Sequence, residues 1–322
     1  MADFKDKVKG MMLGVAVGDA LGQPYEMKPP LGRPVSSFPA TGGQTTDDWQ
    51  MSAVVAESLM RAGKLEMGDM VKGHVAAYET TIRGWGGAHR DACKALKEGV
   101  SPEESGKRVL RDDKPYRGRG NGMCMKIGPL AAFGVARGKT VIDCADEYIA
   151  MAKMTHPTSL GLSSAIGMAE AVAYCLRTTP DKFDTNKFLH AVKHAVGIAE
   201  QIVRDDPHAE LMSSRLHHLC DNWDVLSVEE VIEQYKGGGY VFESLPFSLA
   251  LFCKGSHDIA CVYDCVGAGG DTDTNASMVG ALAGALHGSA IFPQTLLYKL
   301  LAFADIDRIS SQFSEWCATL KS

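Results

Sequence analysis

Residues 266–288 read VGAGGDTDTNASMVGALAGALHG, and no other stretch of this chain limits its fold as tightly. From Ala276 onward the segment is mostly alanine and glycine, so a helix made of it has little side chain to bury and must lie with its backbone close against a neighbour. At its mouth Asp271, Thr272, Asp273 and Thr274 follow a glycine-rich turn. Hard oxygen donors crowded at the start of a helix make a candidate cation site.

One segment does not complete such a site. Asp271, Asp273 and Asn275 alternate as in a calcium loop, but Ala276 stands where that loop requires glycine and Leu282 where it requires a bidentate glutamate. An EF-hand is therefore excluded, and the remaining arrangement is a site shared with a distant segment. GGQTTDDWQMSAVVAESLMRAG offers one. Met51, Val54, Val55 and Leu59 recur at helical spacing, and Thr45 or Thr46 can cap the helix start with Asp48 close to the third position. Thr46, Asp47 and Asp48 thus cluster at a helix N-terminus. The helix dipole favours acids there without any metal, so on this segment alone both readings stand.

Composition narrows the class. The chain has 322 residues, 45% hydrophobic and 22% charged, with a net charge of -6 and no long block of one sign. That balance argues against nucleic acid as a partner, which usually shows as a basic excess; Arg108, Arg111, Lys114, Arg117 and Arg119 remain a candidate patch for a smaller anion. The N-terminus lacks the apolar core of a signal peptide, and no stretch reaches the roughly 20 apolar residues of a spanning helix, so no membrane association is expected. Nine cysteines at scattered spacing fit reduced thiols and a cytoplasmic protein. Cys261 and Cys265 lack a second cysteine or histidine pair nearby, which argues against zinc.

In chain order, Phe4, Val8, Met11, Met12 and Val15 predict a helix from about residue 4 to Gly22. It runs into a loop stiffened by Pro24, Pro29, Pro30 and Pro34, on which Glu26 reads by itself as a solvated carboxylate. Residues 67–80 and 91–98 read as helices around the loop TIRGWGGAHR. Gly118, Gly120 and Gly122 then precede an apolar run, a pattern that lets backbone N–H groups converge on an anion; it is not a dinucleotide fingerprint, since no strand precedes it. Cys144, Tyr148 and Met151 mark another helix, His156 sits at a junction, and Leu162, Ile166, Ala169, Ala173 and Leu176 make a further stripe. Helices follow at about 185–201 and 208–220, and Ser227 with Glu230 forms a capping box for a helix through Tyr235. A marginal strand is expected at 240–243, then a buried helix, and Pro293 is expected to start a last helix carrying Leu296, Leu297, Leu300 and Leu301. With no repeat, linker or shift in composition, the reading is one all-α domain over residues 1–322 with long functional loops.

Six pieces, in order along nearly the whole chain, resemble the ADP-ribosylglycohydrolases: GVAVGDALGQPYE, TTDDWQM, GNGMCMKIGPL, MTH, GGGYVFESLPFSLALF and GGDTDTNASMVGALAGALHG. The resemblance implies a compact orthogonal multi-helix bundle with a binuclear cleft holding two magnesium or manganese ions. It implies Thr46, Asp47, Asp48, Asp271, Asp273 and Thr274 as ligands, an all-oxygen set that suits those ions better than zinc. It further implies that Asn121 with Gly120 and Gly122 holds the diphosphate of ADP-ribose, that His156 supports that end, that Arg83, Gly84, Trp85, Gly86 and Gly87 line the ribose and acceptor side, and that Tyr240 stacks on the adenine.

Glu26, Asp48 and Asp273 would then carry the catalysis, hydrolysis of the bond between ADP-ribose and an acceptor. An arginine side chain of a modified protein is the first choice of acceptor, with a serine linkage, O-acetyl-ADP-ribose or another small molecule as alternatives and a monomer as the default. A non-catalytic ADP-ribose-binding or crystallin-like member is the rival, told apart by an intact ligand set. Three positions depart from the family pattern: Trp49 stands where threonine is usual, Lys126 where arginine is common, and Ala88 where the loop often carries threonine.

Overall fold

The computed structural model describes residues 2–110, 117–203, 210–255 and 257–321. Sixteen α-helices and no strand lie among the described residues. The first half carries α1 (Phe4–Gly22), α2 (Asp47–Ala62), α3 (Met67–Thr80), α4 (Gly87–Lys97), α5 (Pro102–Lys107), α6 (Gly128–Ala136), α7 (Ala145–Lys153) and α8 (Ser159–Arg177). The second carries α9 (Thr185–Val203), α10 (Met212–Asn222), α11 (Val228–Tyr235), α12 (Val241–Lys254), α13 (Ile259–Gly267), α14 (Thr272–His287), α15 (Gln294–Leu297) and α16 (Phe303–Leu320).

At the centre α1 and α14 run antiparallel in close contact. Every residue of α14 at 272–286 is buried, as is nearly all of α1 from Lys7 onward. Gly10, Gly14, Gly18 and Gly22 recur every fourth position, which places them on one face of α1. A Cβ added to Gly14 would fall on the backbone of Gly280, and one added to Gly280 would fall on the backbone of Gly14. The pairing repeats along the helices, Gly10 against Gly284, Gly18 against Ala276 and Gly22 against Thr272. Only glycine permits this approach, so the apolar contact here is backbone against backbone.

The remaining helices surround this pair in one continuous apolar core. The helix α8 is long and apolar enough, by length and composition, to cross a membrane, which differs from the expectation that no stretch would qualify; 89% of its most apolar window is buried inside the protein. All nine cysteines are free and buried.

Several predicted elements differ from those observed. Tyr240 pairs with Gly120 in an isolated bridge and α12 begins at Val241, so the 240–243 strand is absent. The helix expected at Pro293 is the single turn of α15, and Leu300 instead bridges to Gly43. The last helix is α16, whose Ile306, Ile309, Phe313 and Cys317 form its buried stripe. The helix predicted at 91–98 starts earlier, at Gly87. Of the segment predicted at 208–220, residues 208 and 209 lie outside the described residues and the helix runs Met212–Asn222. The capping box of Ser227 and Glu230 is formed as predicted.

Candidate active site and metal centre

The antiparallel glycine contact sets the end of α1 beside the start of α14, and α2 begins at the same place. Asp19, in the last turn of α1, is fully buried. Its carboxylate accepts from the Thr46 amide at 2.8 and 3.0 Å, the Thr46 hydroxyl at 2.8 Å and the Trp49 amide at 3.0 Å. Thr46 is the N-cap residue of α2, but its hydroxyl does not cap. A carboxylate from α1 satisfies the free amides of the α2 start instead.

This junction brings the two acid clusters together. Asp48 is fully buried and accepts from the Ser277 hydroxyl at 2.8 Å and from the Thr274 hydroxyl at 3.3 Å, side chains 229 and 226 residues away in sequence. Asn121 donates to Asp271 at 2.8 Å and to the Ser244 hydroxyl at 3.0 Å. Oxygens of Asp19, Asp48 and Asp273 lie within 4.8 Å of one another, as do those of Glu26, Asp271 and Asp273. Asp273 belongs to both groups.

These carboxylates are crowded and short of positive charge. Burial raises Asp19 to about 6, against the hydrogen bonds from Thr46 and Trp49. Burial and then the charge of Asp19 raise Asp47 to about 7. Burial and neighbouring carboxylates push Asp48 and Asp273 well above the usual carboxylate range. Burial also raises Asp271 and the half-buried Glu26, the latter with help from Asp271. Among the described residues, no lysine or arginine forms an ion pair with any of them. Buried like charges at this spacing need cations or protons. An all-oxygen, anionic donor set of this kind fits hard divalent metal ions.

A cavity of about 260 Å³ opens over this cluster. Of the residues singled out from sequence, Glu26, Asp47, Gly84, Gly86, Gly87, Gly120, Asn121, Gly122, His156, Asp271, Asp273 and Thr274 line it. Asp48 lies beneath the surface. Thr46 and Arg83 line an adjacent cavity of about 460 Å³ together with Trp49. Trp49 thus borders this second cavity and not the acid-lined one. Trp85 is 1% exposed and donates through its indole to Gln50 at 2.7 Å, so it braces the loop from inside. Tyr240 is not among the lining residues; its hydroxyl donates to Glu210, and its neighbour Gly239 is the residue that reaches the cavity.

The basic patch is divided among carboxylates. Arg117 pairs with Asp91 at 2.6 Å, Arg119 with Glu210 at 3.6 Å and Arg108 with Glu98 at 3.9 Å. Arg111 and Lys114 lie outside the described residues. Two residues that sequence reasoning passed over enter the site: Asp19, which anchors Thr46, and His89, which lines the cavity. An aspartate inside the apolar run of α1 was the available signal for the first.

A family model described as ADP-ribosylglycohydrolase matches residues 1–320. The chain belongs to the ADP-ribosylglycohydrolase family. It is 25% identical to the ADP-ribosylhydrolase ARH3 of Mus musculus, with 94% of this chain and 89% of that protein covered. Against the ADP-ribosylarginine hydrolase Tri1 of Pseudomonas putida it is 22% identical, covering 95% of this chain and 77% of the other. A solved structure described as an ADP-ribosylglycohydrolase-related protein complex superposes with a TM-score of 0.68 at 23% identity, covering 98% of this chain and 99% of that one, and shows the same fold. Membership places the chain among enzymes that hydrolyse bonds to ADP-ribose.

Proposed function

We propose that this protein hydrolyses the glycosidic bond between the distal ribose of ADP-ribose and an acceptor, with two magnesium or manganese ions held by Thr46, Asp47, Asp48, Asp271, Asp273 and Thr274. The observation that carries this reading is the meeting of two distant acid clusters, with Asp273 common to both carboxylate groups, in a cavity also walled by Gly120, Asn121 and Gly122. A non-catalytic role fits poorly with so many buried carboxylates, whose mutual repulsion costs stability without a ligand to relieve it.

When bound, the ions would supply positive charge for the ribose hydroxyls and the attacking water. The protein's own groups do the rest. Asp19 holds Thr46, and Asn121 holds Asp271, so the carboxylates keep their geometry before substrate arrives. Glu26 stands at the cavity wall on its proline-bordered loop, with a raised pKa that suits a general base. It would take the proton from water as that water attacks the anomeric carbon, the C–N or C–O bond to the acceptor breaks with a proton returned to the departing nitrogen or oxygen, and free ADP-ribose departs.

Arginine is the acceptor we favour, supported by the likeness to a protein named as an ADP-ribosylarginine hydrolase. Incubation with arginine-, serine- and acetyl-linked ADP-ribose, with and without magnesium or manganese, tests both parts by release of ADP-ribose. Release from the arginine substrate that stops on chelation is the expected result; release from another linkage alone would reassign the acceptor, and undiminished release in chelator would remove the metals.

A further inference from the structure

Behind the cavity wall lies a chain of polar side chains that the reaction above leaves unused. Lys126 is fully buried, and among the described residues its partners are two imidazoles: Nζ lies 2.6 Å from Nε2 of His89 and 3.3 Å from Nε2 of His74. The tautomer of His74 follows from its other nitrogen. Nδ1 is 2.9 Å from the carbonyl oxygen of Met70, which only accepts, so Nδ1 carries the proton and Nε2 accepts from Lys126.

His89 is the other end of the chain. Burial first, and then the charge of Lys126, keep its imidazole neutral, and the same holds for His74. Burial lowers the pKa of Lys126 to about 7, so at pH 6 it is an ammonium, and one donating to Nε2 leaves the single ring proton on Nδ1. That atom has no hydrogen-bond partner among the described residues, although His89 is only 2% exposed and lines the cavity. Its edge is aimed at Gly122: a Cβ there would lie 2.8 Å from Cε1 and 3.0 Å from Nδ1 of His89. The ring is held between Trp85 and His156, with centroids 6.0 and 5.2 Å away. The cavity lining therefore holds, besides the carboxylates, the donor edge of His89, Arg117 and a run of glycine backbone.

We propose that His89 is a specificity-determining donor, its Nδ1–H directed at a diphosphate oxygen held over Gly120 and Gly122, and that Lys126 with His74 is the positioning pair that fixes its tautomer. The ligand half of this proposal rests on the ADP-ribose reading of the cavity; the tautomer half stands without it.

Two measurements test it. In the ligand-free, 15N-labelled protein at pH 6, ring 15N–1H correlations should show His89 as the Nδ1–H tautomer, and Lys126→Met should shift it towards Nε2–H while helical circular dichroism is kept. Calorimetry with ADP-ribose and ADP should show about a tenfold loss of affinity in His89→Ala, the scale of one hydrogen bond to a charged group. His89→Asn, whose amide nitrogen falls near Nδ1, should recover most of it, and His89→Gln, which reaches instead towards Nε2, should not. An Nε2–H tautomer in the wild type overturns the positioning role. Equal affinity in His89→Ala overturns the contact. If the wild-type protein binds neither ADP-ribose nor ADP, the reading of the cavity fails and takes the contact with it, while the spectrum still decides the tautomer.

Discussion

The side chain on which most depends is Asp273, the one carboxylate shared by both three-acid groups. It sits 3% exposed, with its pKa pushed up by burial and by Asp271 and Asp48. In the metal-free protein such a charge is a liability, and on the proposed two-metal reading it would be a ligand. The same substitution should therefore move stability and activity in opposite directions. Asp273→Asn is expected to raise the metal-free melting temperature by ~2–6 °C, on the order of 1–2 kcal/mol for a chain of this size, and to lower ADP-ribose release by at least ~100-fold. Calorimetric melts in chelator and turnover with metal check the pair of outcomes; a lower melting temperature would mean that the carboxylate is satisfied without a cation.

Among the elements, α1 and α14 decide where the acids stand. Their backbones touch at Gly14 and Gly280, where a Cβ has no space. Gly14→Ala should cost about 3 kcal/mol or more, because the helices must separate to admit the methyl group. Since Asp19 leaves α1 and Asp271 precedes α14, the same variant should weaken divalent-cation binding, read by metal titration. Gly197 provides the contrast: it lies within α9, and a Cβ there would meet nothing within 4 Å. Gly197→Ala should stabilise by about 0.5–1 kcal/mol and leave metal affinity unchanged. Equal effects at both glycines would show that close approach is not what Gly14 supplies.

For the molecule as a whole, the proposed metals would compete with protons for the same carboxylates. Asp47 has a folded pKa of about 7 against an ordinary 3.8, and Asp19 one of about 6. Their stabilising contribution to the metal-free protein is thus fully present below pH ~4 and is lost as pH rises through about 6 to 7. Buried His74 and His156, each lowered to about 3, act in the opposite sense, gaining stability as pH rises from ~3 to ~6.5. The carboxylate share is isolated by comparing metal-free with metal-saturated protein. The rise in melting temperature with magnesium or manganese should widen between pH 5 and pH 7.5, reaching about 2.7 kcal/mol of added stability at a hundredfold excess over Kd. A rise independent of pH would place the cation elsewhere. Most of the long helices and both acid clusters were legible along the chain, though not α5, α13 or α16, because periodicity and capping act over a few residues: the stripe of α8 and the capping box of α11 are local facts. The α16 stripe was equally local, but the leucines after Pro293 drew the last helix to the wrong place: Leu296, Leu297 and Leu300 are buried by packing around a single turn, and Leu301 is exposed. The resemblance implied that Trp85 and Tyr240 meet the ligand; in the structure their polar atoms turn to Gln50 and Glu210, partners that no local pattern names. The sequence by itself determined that oxygen donors stand at two helix starts and that residues 276–288 must pack tightly. Only the tertiary structure decided that the partner is the glycine face of α1, that Asp19 ties α2 to it, and that Lys126, His74 and His89 meet behind the cavity wall. Close packing joins residues by shape in three dimensions, and that complementarity is not written in the spacing of any one segment.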